Sequence, residues 1–255
     1  MIPLPAWWPW WLQNASATGG TCATSRVSCQ CRCSFVDVGM NDGRSLFGWP
    51  LELVSQNHSV SPTNLDRVSQ CLRESKDTCY YGFEANPRFA KGLEAVRNDG
   101  IQRGMRVQTF SSTAFGLSNG VVPFVIDDGV AHDTGEVGLG SALAHTAEQA
   151  VQRRGGPRVI NVSSVAGMDF LRHVMATTTE LVALKLDVEG SEFDLMKKLL
   201  VEDAPMLCRL NVLAIEWHAH KAQHFERARQ FRESFVNWLR KERPFSCAVD
   251  HVWWH

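Results

Sequence analysis

The run Val36-Asp-Val-Gly-Met-Asn-Asp-Gly43 constrains this chain more than any other stretch of comparable length. A short apolar run that is broken by one acid and closed by glycine is the pattern of a buried parallel strand entering a turn. Glycine lets backbone approach a ligand closely, and Asn41, between the two glycines, tolerates the left-handed conformation better than most residues. A parallel strand needs both faces covered by helices, so the rest of the chain should alternate strands with helices.

The pattern along the chain meets that demand. A first strand over residues 35–39 is followed by a helix over 44–55, which carries Leu46, Phe47, Leu51 and Val54 but is interrupted by Gly48 and Pro50. Residues 56–77 read as a polar insertion with one short helix on Leu65, Val68 and Leu72. A second strand over 80–84 ends in an acid, and Pro87 opens a helix through Leu93 and Val96. A third strand spans 105–110. Residues 116–126, with Ser118-Asn-Gly120 in the loop, suggest an antiparallel hairpin flanking the main sheet. Residues 127–156 form an excursion with a helix over 142–151. Strands over 158–162, 181–188 and 211–217 alternate with helices over 168–175, 191–200 and 223–241, the last with an inward stripe of Phe231, Phe235, Trp238 and Leu239. An aromatic strand over 248–254 follows. The fold class is α/β, Rossmann-like, with a mostly parallel sheet and helices on both faces. Residues 1–34 form a Trp/Pro- and Cys-containing tail, and residues 35–255 form the domain.

Composition narrows the partners. Lys and Arg number 26 against 27 Asp and Glu, which leaves no global charge to favour nucleic acid, and none is expected as a partner. No apolar run approaches the roughly 20 residues of a transmembrane span. Residues 1–12 carry Trp7, Trp8, Trp10 and Trp11 but no Lys or Arg, and are not read as a signal peptide. Cys22, Cys29, Cys31 and Cys33 lack the paired spacing of a zinc ribbon. Asn14, Asn57 and Asn161 head glycosylation sequons, although Asn161 is expected in a buried strand. The compartment stays open.

Three elements carry chemistry. Beyond the first loop, Glu84 at the carboxyl tip of the neighbouring strand is placed to accept hydrogen bonds from two ribose hydroxyls. A nicotinamide dinucleotide would use the same acid, but its fingerprint wants three closely spaced glycines and an acid about 20 residues further on. Here Gly39 and Gly43 are spaced G-x-x-x-G and the acid comes much later. The third element, Leu184-Lys-Leu-Asp-Val-Glu-Gly-Ser-Glu192, presents Asp187 and Glu189 before a glycine turn and a helix. Glu216 and His218 should lie near Asp187 at the same sheet edge, with His218 as candidate base and Glu216 as orienting acid. Asp187, Glu216 and His218 could also hold a divalent ion, but an orienting role is preferred and no metal is expected. His220 and His224 lack a metalloprotease-type carboxylate and read as a solvated helix face.

In order along the chain, VDVGMNDGRS, FEANP and LKLDVEGSE resemble the signature motifs of FkbM-like methyltransferases over roughly residues 35–218. The resemblance implies a class I methyltransferase fold with S-adenosyl-L-methionine along the carboxyl edge of the sheet. Asp37, Gly39, Asn41 and Gly43 match the first cofactor loop, Glu84 and Asn86 the ribose and adenosine region, and Asp187 the later acid. Ser111 and Ser112, after the third strand, are where related enzymes contact adenine, with Ser112 the preferred candidate. The implied reaction is methyl transfer to an oxygen of a small-molecule or sugar-like acceptor. A non-catalytic binding module of the same fold and a nucleotide-dependent oxidoreductase are the alternatives.

Overall fold

The long apolar runs do become parallel strands. In the computed structural model, which describes residues 30–56, 60–126, 142–143, 158–219, 225–241 and 249–254, the strands β1 (Cys31–Val38), β2 (Thr78–Glu84) and β3 (Arg106–Ser111) pair in sequence on one side. On the other side of β1 lie β8 (Thr178–Leu186), β9 (Val212–Ile215) and β10 (Asp250–Trp253). The resulting six-stranded sheet has the order β10-β9-β8-β1-β2-β3 and is parallel throughout. Its order reverses between β1 and β8, which creates a crevice at their carboxyl ends, where ligands bind in open α/β sheets.

Period-two alternation divides the core between the faces. Phe35, Tyr80, Leu181, Ala183, Val212 and Ala214 face α1 (Ser45–Ser55), α2 (Pro62–Arg73) and α3 (Ala90–Gln102). Val36, Val38, Phe83, Leu184, Leu186 and Leu213 face α4 (Gly167–Thr177), α5 (Glu192–Leu207) and α6 (Phe225–Lys241). The helix α1 runs unbroken through Gly48 and Pro50, contrary to the interruption expected there. Burial of Leu46, Trp49, Pro50 and Leu53 on the sheet outweighs the poor propensity. The outermost strand β10 is fastened to α2, because Asp250 accepts hydrogen bonds from the backbone and hydroxyl of Ser61 and from the Asn64 amide.

The expected hairpin at 116–126 does not form. The strands β4 (Thr113–Gly116) and β5 (Gly120–Ile126) are separated by β7 (Arg158–Ala166), which pairs parallel with β4 and antiparallel with β5 in a second sheet. Side chains cap the short connection instead: the Asn119 carbonyl oxygen accepts from the Ala166 N–H, and the Ser164 hydroxyl donates to the Ser118 carbonyl. The fourth strand, β6 (Ala142–Leu143), stands where a helix was expected to begin, and the remainder of that helix lies outside the described residues. Asn161 is exposed on β7 rather than buried. Residues 1–29 and the pair His220 and His224 also lie outside the described residues. Among the described residues no helix is long and apolar enough to cross a membrane.

The first strand starts at Cys31, earlier than the sequence pattern indicates, and its cysteines are bridged. Cys31 joins Cys79 of β2, and Cys33 joins Cys71 of α2, across 48 and 38 residues. Closing loops of that length restricts the unfolded chain by about 4 kcal/mol each in the chain-entropy model. The Cys33→Ser/Cys71→Ser variant should therefore lose on the order of 10 °C in Tm, measured by calorimetry without reductant. An unchanged Tm would show that this bridge does not form.

Candidate functional site

The carboxyl ends of β1, β2, β3 and β8 converge on one cleft, and the backbone there is unusual. Among the described residues, the non-glycine ones with left-handed φ are Asn41, Ser112 and Glu189, at 48°, 53° and 55°, in the connections after β1, β3 and β8. Such conformations cost of order 1–3 kcal/mol each and gather at functional sites. Gly39 is required for a different reason: a Cβ there would lie 1.7 Å from the Asp187 carbonyl oxygen, so the two loops touch backbone to backbone. The Asp187 N–H donates to the Val38 carbonyl and the Gly39 N–H to the Phe83 carbonyl, which fixes the loops to their strands.

Beneath this contact lies a buried charge network. Lys185 is paired across the ladder with Asp37, and its Nζ is 3.3 Å from Asp37 Oδ1 and 3.6 Å from Asp187 Oδ2. Asp37 also accepts a 2.6 Å hydrogen bond from the Ser45 hydroxyl at the start of α1. Burial pulls the Lys185 pKa down, but the two carboxylates outweigh it and the net shift is upward, so the side chain is a cation.

Glu84 lies across the cleft. Its Oε2 accepts from the Asn41 N–H at 2.8 Å and its Oε1 from the Asn86 N–H at 2.7 Å. Each oxygen is thereby oriented and keeps a lone pair for a further donor. Burial pushes the Glu84 pKa up to about 7 against those two hydrogen bonds. Asp187 is likewise pushed up by burial, to about 6, against the pull of Lys185. The remaining walls are Phe83, Ala85, Thr113, Ala114, Phe115, Phe124, Val188 and Ser191.

A second group of acids surrounds His218. Its Nε2 is 3.3 Å from Glu216, 3.5 Å from Glu189 and 3.8 Å from Asp187, and its Nδ1 is 3.6 Å from Glu192. Glu192, fully buried, accepts backbone N–H bonds from His218 at 2.6 Å and Gly190 at 2.8 Å. Burial pulls the imidazole pKa down, and the acceptor carboxylates of Glu192 and Glu216, together with the charge of Glu189, overcome it and push it up to about 10. That shift favours the imidazolium form.

Of the residues expected at the cofactor, Gly39, Asn41, Glu84 and Asp187 line the cleft. Asp37, Gly43 and Asn86 stand behind it: Asp37 in the ion network, Gly43 against Val96, and Asn86 bonded to Glu84 while capping the turn at Pro87–Phe89. Ser112 occupies the left-handed corner after β3, and its carbonyl accepts from the Ser163 N–H, while the next three residues form the wall. Glu216 and His218 meet Asp187 as expected from topology. Sequence reasoning missed Lys185 and Glu192. The signal for Lys185 was a lone charge within an apolar strand, which demands a buried partner.

Residues 37–242 match the model of the methyltransferase FkbM domain. No curated protein and no solved structure matches the chain.

Removing the central cation leaves Asp37 and Asp187 facing one another without compensation. The Lys185→Met variant should lose about 3–5 kcal/mol in urea unfolding, and adding Asp37→Asn should return part of that loss. Equal stability of Lys185→Met and the parent would contradict the ion network.

Proposed function

The chain belongs to the methyltransferase FkbM domain family, and on that premise we propose that it is an S-adenosyl-L-methionine-dependent methyltransferase acting on an oxygen of a small-molecule or sugar-like acceptor. The observation that carries the cofactor assignment is Glu84, a buried carboxylate whose two oxygens are aimed by the Asn41 and Asn86 N–H groups. Vicinal ribose hydroxyls are the donors such a carboxylate suits. The donor set of the cleft fits the rest of the cofactor: Asp187 and Glu189 complement positive charge, and Phe115 and Phe124 offer apolar wall for a base. Bound S-adenosyl-L-methionine supplies an electrophilic methyl group on a sulfonium.

The chain's own residues then have to align an acceptor oxygen and keep water out, effects worth several kcal/mol in a transfer of this kind. Glu216 and His218 are the candidate catalytic pair. With His218 held as an imidazolium by its carboxylates, the pair can donate to and orient an acceptor hydroxyl, and the proton has to leave to another carboxylate of the cleft. The oxygen preference and the acceptor class rest on the family resemblance.

Calorimetric titration with S-adenosylmethionine, S-adenosylhomocysteine and NAD tests this reading. The adenosyl ligands should saturate a single site and NAD should not bind. Glu84→Ala should weaken the adenosyl ligands by at least tenfold, about 1.4 kcal/mol. Because hydroxyl donors favour the ionised form of Glu84, affinity should be full above its pKa of about 7 and fall as pH drops through that value, by up to about tenfold per unit. Glu84→Gln should flatten that profile. No adenosyl binding by the folded protein would support the binding-module reading, and preference for NAD the oxidoreductase one.

A further inference from the structure

We propose that Asn161 carries an N-linked glycan, set on the outer face of the second sheet and added in an oxidising compartment. Asn161-Val-Ser163 is a glycosylation sequon, and it lies within β7 where that strand pairs with β5. Successive side chains of a strand point to opposite faces, so Asn161 and Ser163 share one face while Ile160 and Val162 share the other. Ile160 and Val162 pack with Ala114, Phe124 and Ile126 in the small core of this sheet. The asparagine and the hydroxyl of the sequon are therefore both on the side away from that core, and Asn161 is exposed. Sequons usually belong to surface loops. Here the alternation of the strand does what a loop would do, because the glycan projects from the face opposite the core. Phe124, which lines the cleft, is on the core side of β5, so the glycan leaves the cleft open.

The surroundings of Asn161 call for a cover. Its direct partner across the ladder is Pro123, and Val121 and Val159 stand on the same face, 68% and 58% exposed. No charged residue occurs in residues 120–126 or 159–166. The strand β4 pairs with β7 only from Ser163 onward, which leaves that edge of β7 open at 159–162 among the described residues. An uncharged apolar face beside an unpaired strand edge is a template for association, and folded proteins block such edges with charge, proline or a covering group. A bulky, hydrated glycan on Asn161 covers the valines and obstructs the edge at once.

The cysteines point to the compartment independently. The described ones, Cys31, Cys33, Cys71, Cys79 and Cys208, are all disulfide-bonded. Disulfides form and persist in secretory lumina and are rare where glutathione keeps thiols reduced. The lumen in which these bridges form is also where oligosaccharide is transferred to sequons. The donor is a polyprenyl-pyrophosphate-linked oligosaccharide. The Asn161 Nδ2 bonds to the anomeric carbon, the bond from that carbon to the pyrophosphate oxygen breaks, and the amide gives up one proton as polyprenyl pyrophosphate leaves. Transfer takes place on the extended chain, so the folded sheet has only to keep Asn161 outside, as it does.

The test is peptide mapping of the full chain isolated from the cells that make it. Trypsin releases residues 159–172 as one peptide with a single sequon. Peptide-N-glycosidase in heavy-oxygen water then turns a glycan-bearing asparagine into a labelled aspartate. The expected result is the label at position 161 in most copies of that peptide. An unmodified Asn161 overturns the inference, and so does labelling confined to Asn14 or Asn57, which would place the chain in the compartment with this site unused. In the chain secreted from cultured insect cells, Asn161→Gln and Ser163→Ala should each lose the mass of one glycan, while Ser163→Thr should keep it; equal masses for all three overturn the assignment. Enzymatic removal of the glycan from the folded chain should raise binding of a hydrophobic dye by at least about twofold, and unchanged dye binding contradicts the covering role. None of these readouts depends on the adenosyl site.

Discussion

The ammonium of Lys185 is the interaction around which the rest of the sheet edge is organised. It sits directly opposite Asp37 in the β1–β8 ladder, where the carboxyl halves of both strands, residues 35–38 and 181–186, are otherwise apolar and buried. A shift of one residue would set this cation opposite Val36 or Val38 and turn each strand's apolar set to the wrong face, so the pair specifies register as well as satisfying charge. Buried ion pairs add little net stability when compared with apolar packing, and their better-attested contribution is specificity of this kind. The same cation reaches Asp187, and through Ser45 the Asp37 carboxylate is tied to the first helix.

Register at β1 and β8 determines the cleft. With Asp37 and Lys185 aligned, the chain leaves both strands at the same level, and Gly39 is driven against the Asp187 backbone. The two loops then open outward around Asn41 and Glu189, both left-handed, and present Glu84 on one side and the acids around His218 on the other. The strand order itself is the one shared with dinucleotide-binding folds, so the sheet alone does not choose among adenosine cofactors. That choice falls to the residues at its edge. The disulfides stiffen the opposite, amino-terminal end of β1, where Cys31 and Cys33 fasten it to β2 and α2.

Much of this was legible in the sequence because buried parallel strands leave an unmistakable apolar run and their loops leave glycines. The motifs around Gly39, Glu84 and Asp187 are assigned to one edge by their strand-turn pattern, and those residues do line one cleft. What was not legible depended on distant partners. The turn at Ser118-Asn-Gly120 carries a local hairpin signal, but nothing nearby reveals that β7, some forty residues on, would insert between its arms and use Asn119 as a cap. Cysteine spacing excluded a zinc ribbon yet could not select Cys79 and Cys71 as partners, since pairing follows from tertiary proximity. Around His218 the neighbours were legible but not the charge, which is set by Glu192 from the start of α5 and by the carboxylates converging from the loops after β8 and β9.

The central claim is that an adenosyl ligand occupies the carboxyl edge of the sheet at the β1–β8 crevice. Hydrogen exchange followed by mass spectrometry, with and without saturating S-adenosylhomocysteine, tests it most directly. The account predicts slower exchange in peptides covering residues 37–45, 82–88 and 185–192, with the exposed start of β7, residues 158–161, unaffected. Protection spread elsewhere, or none in those three peptides, would contradict it.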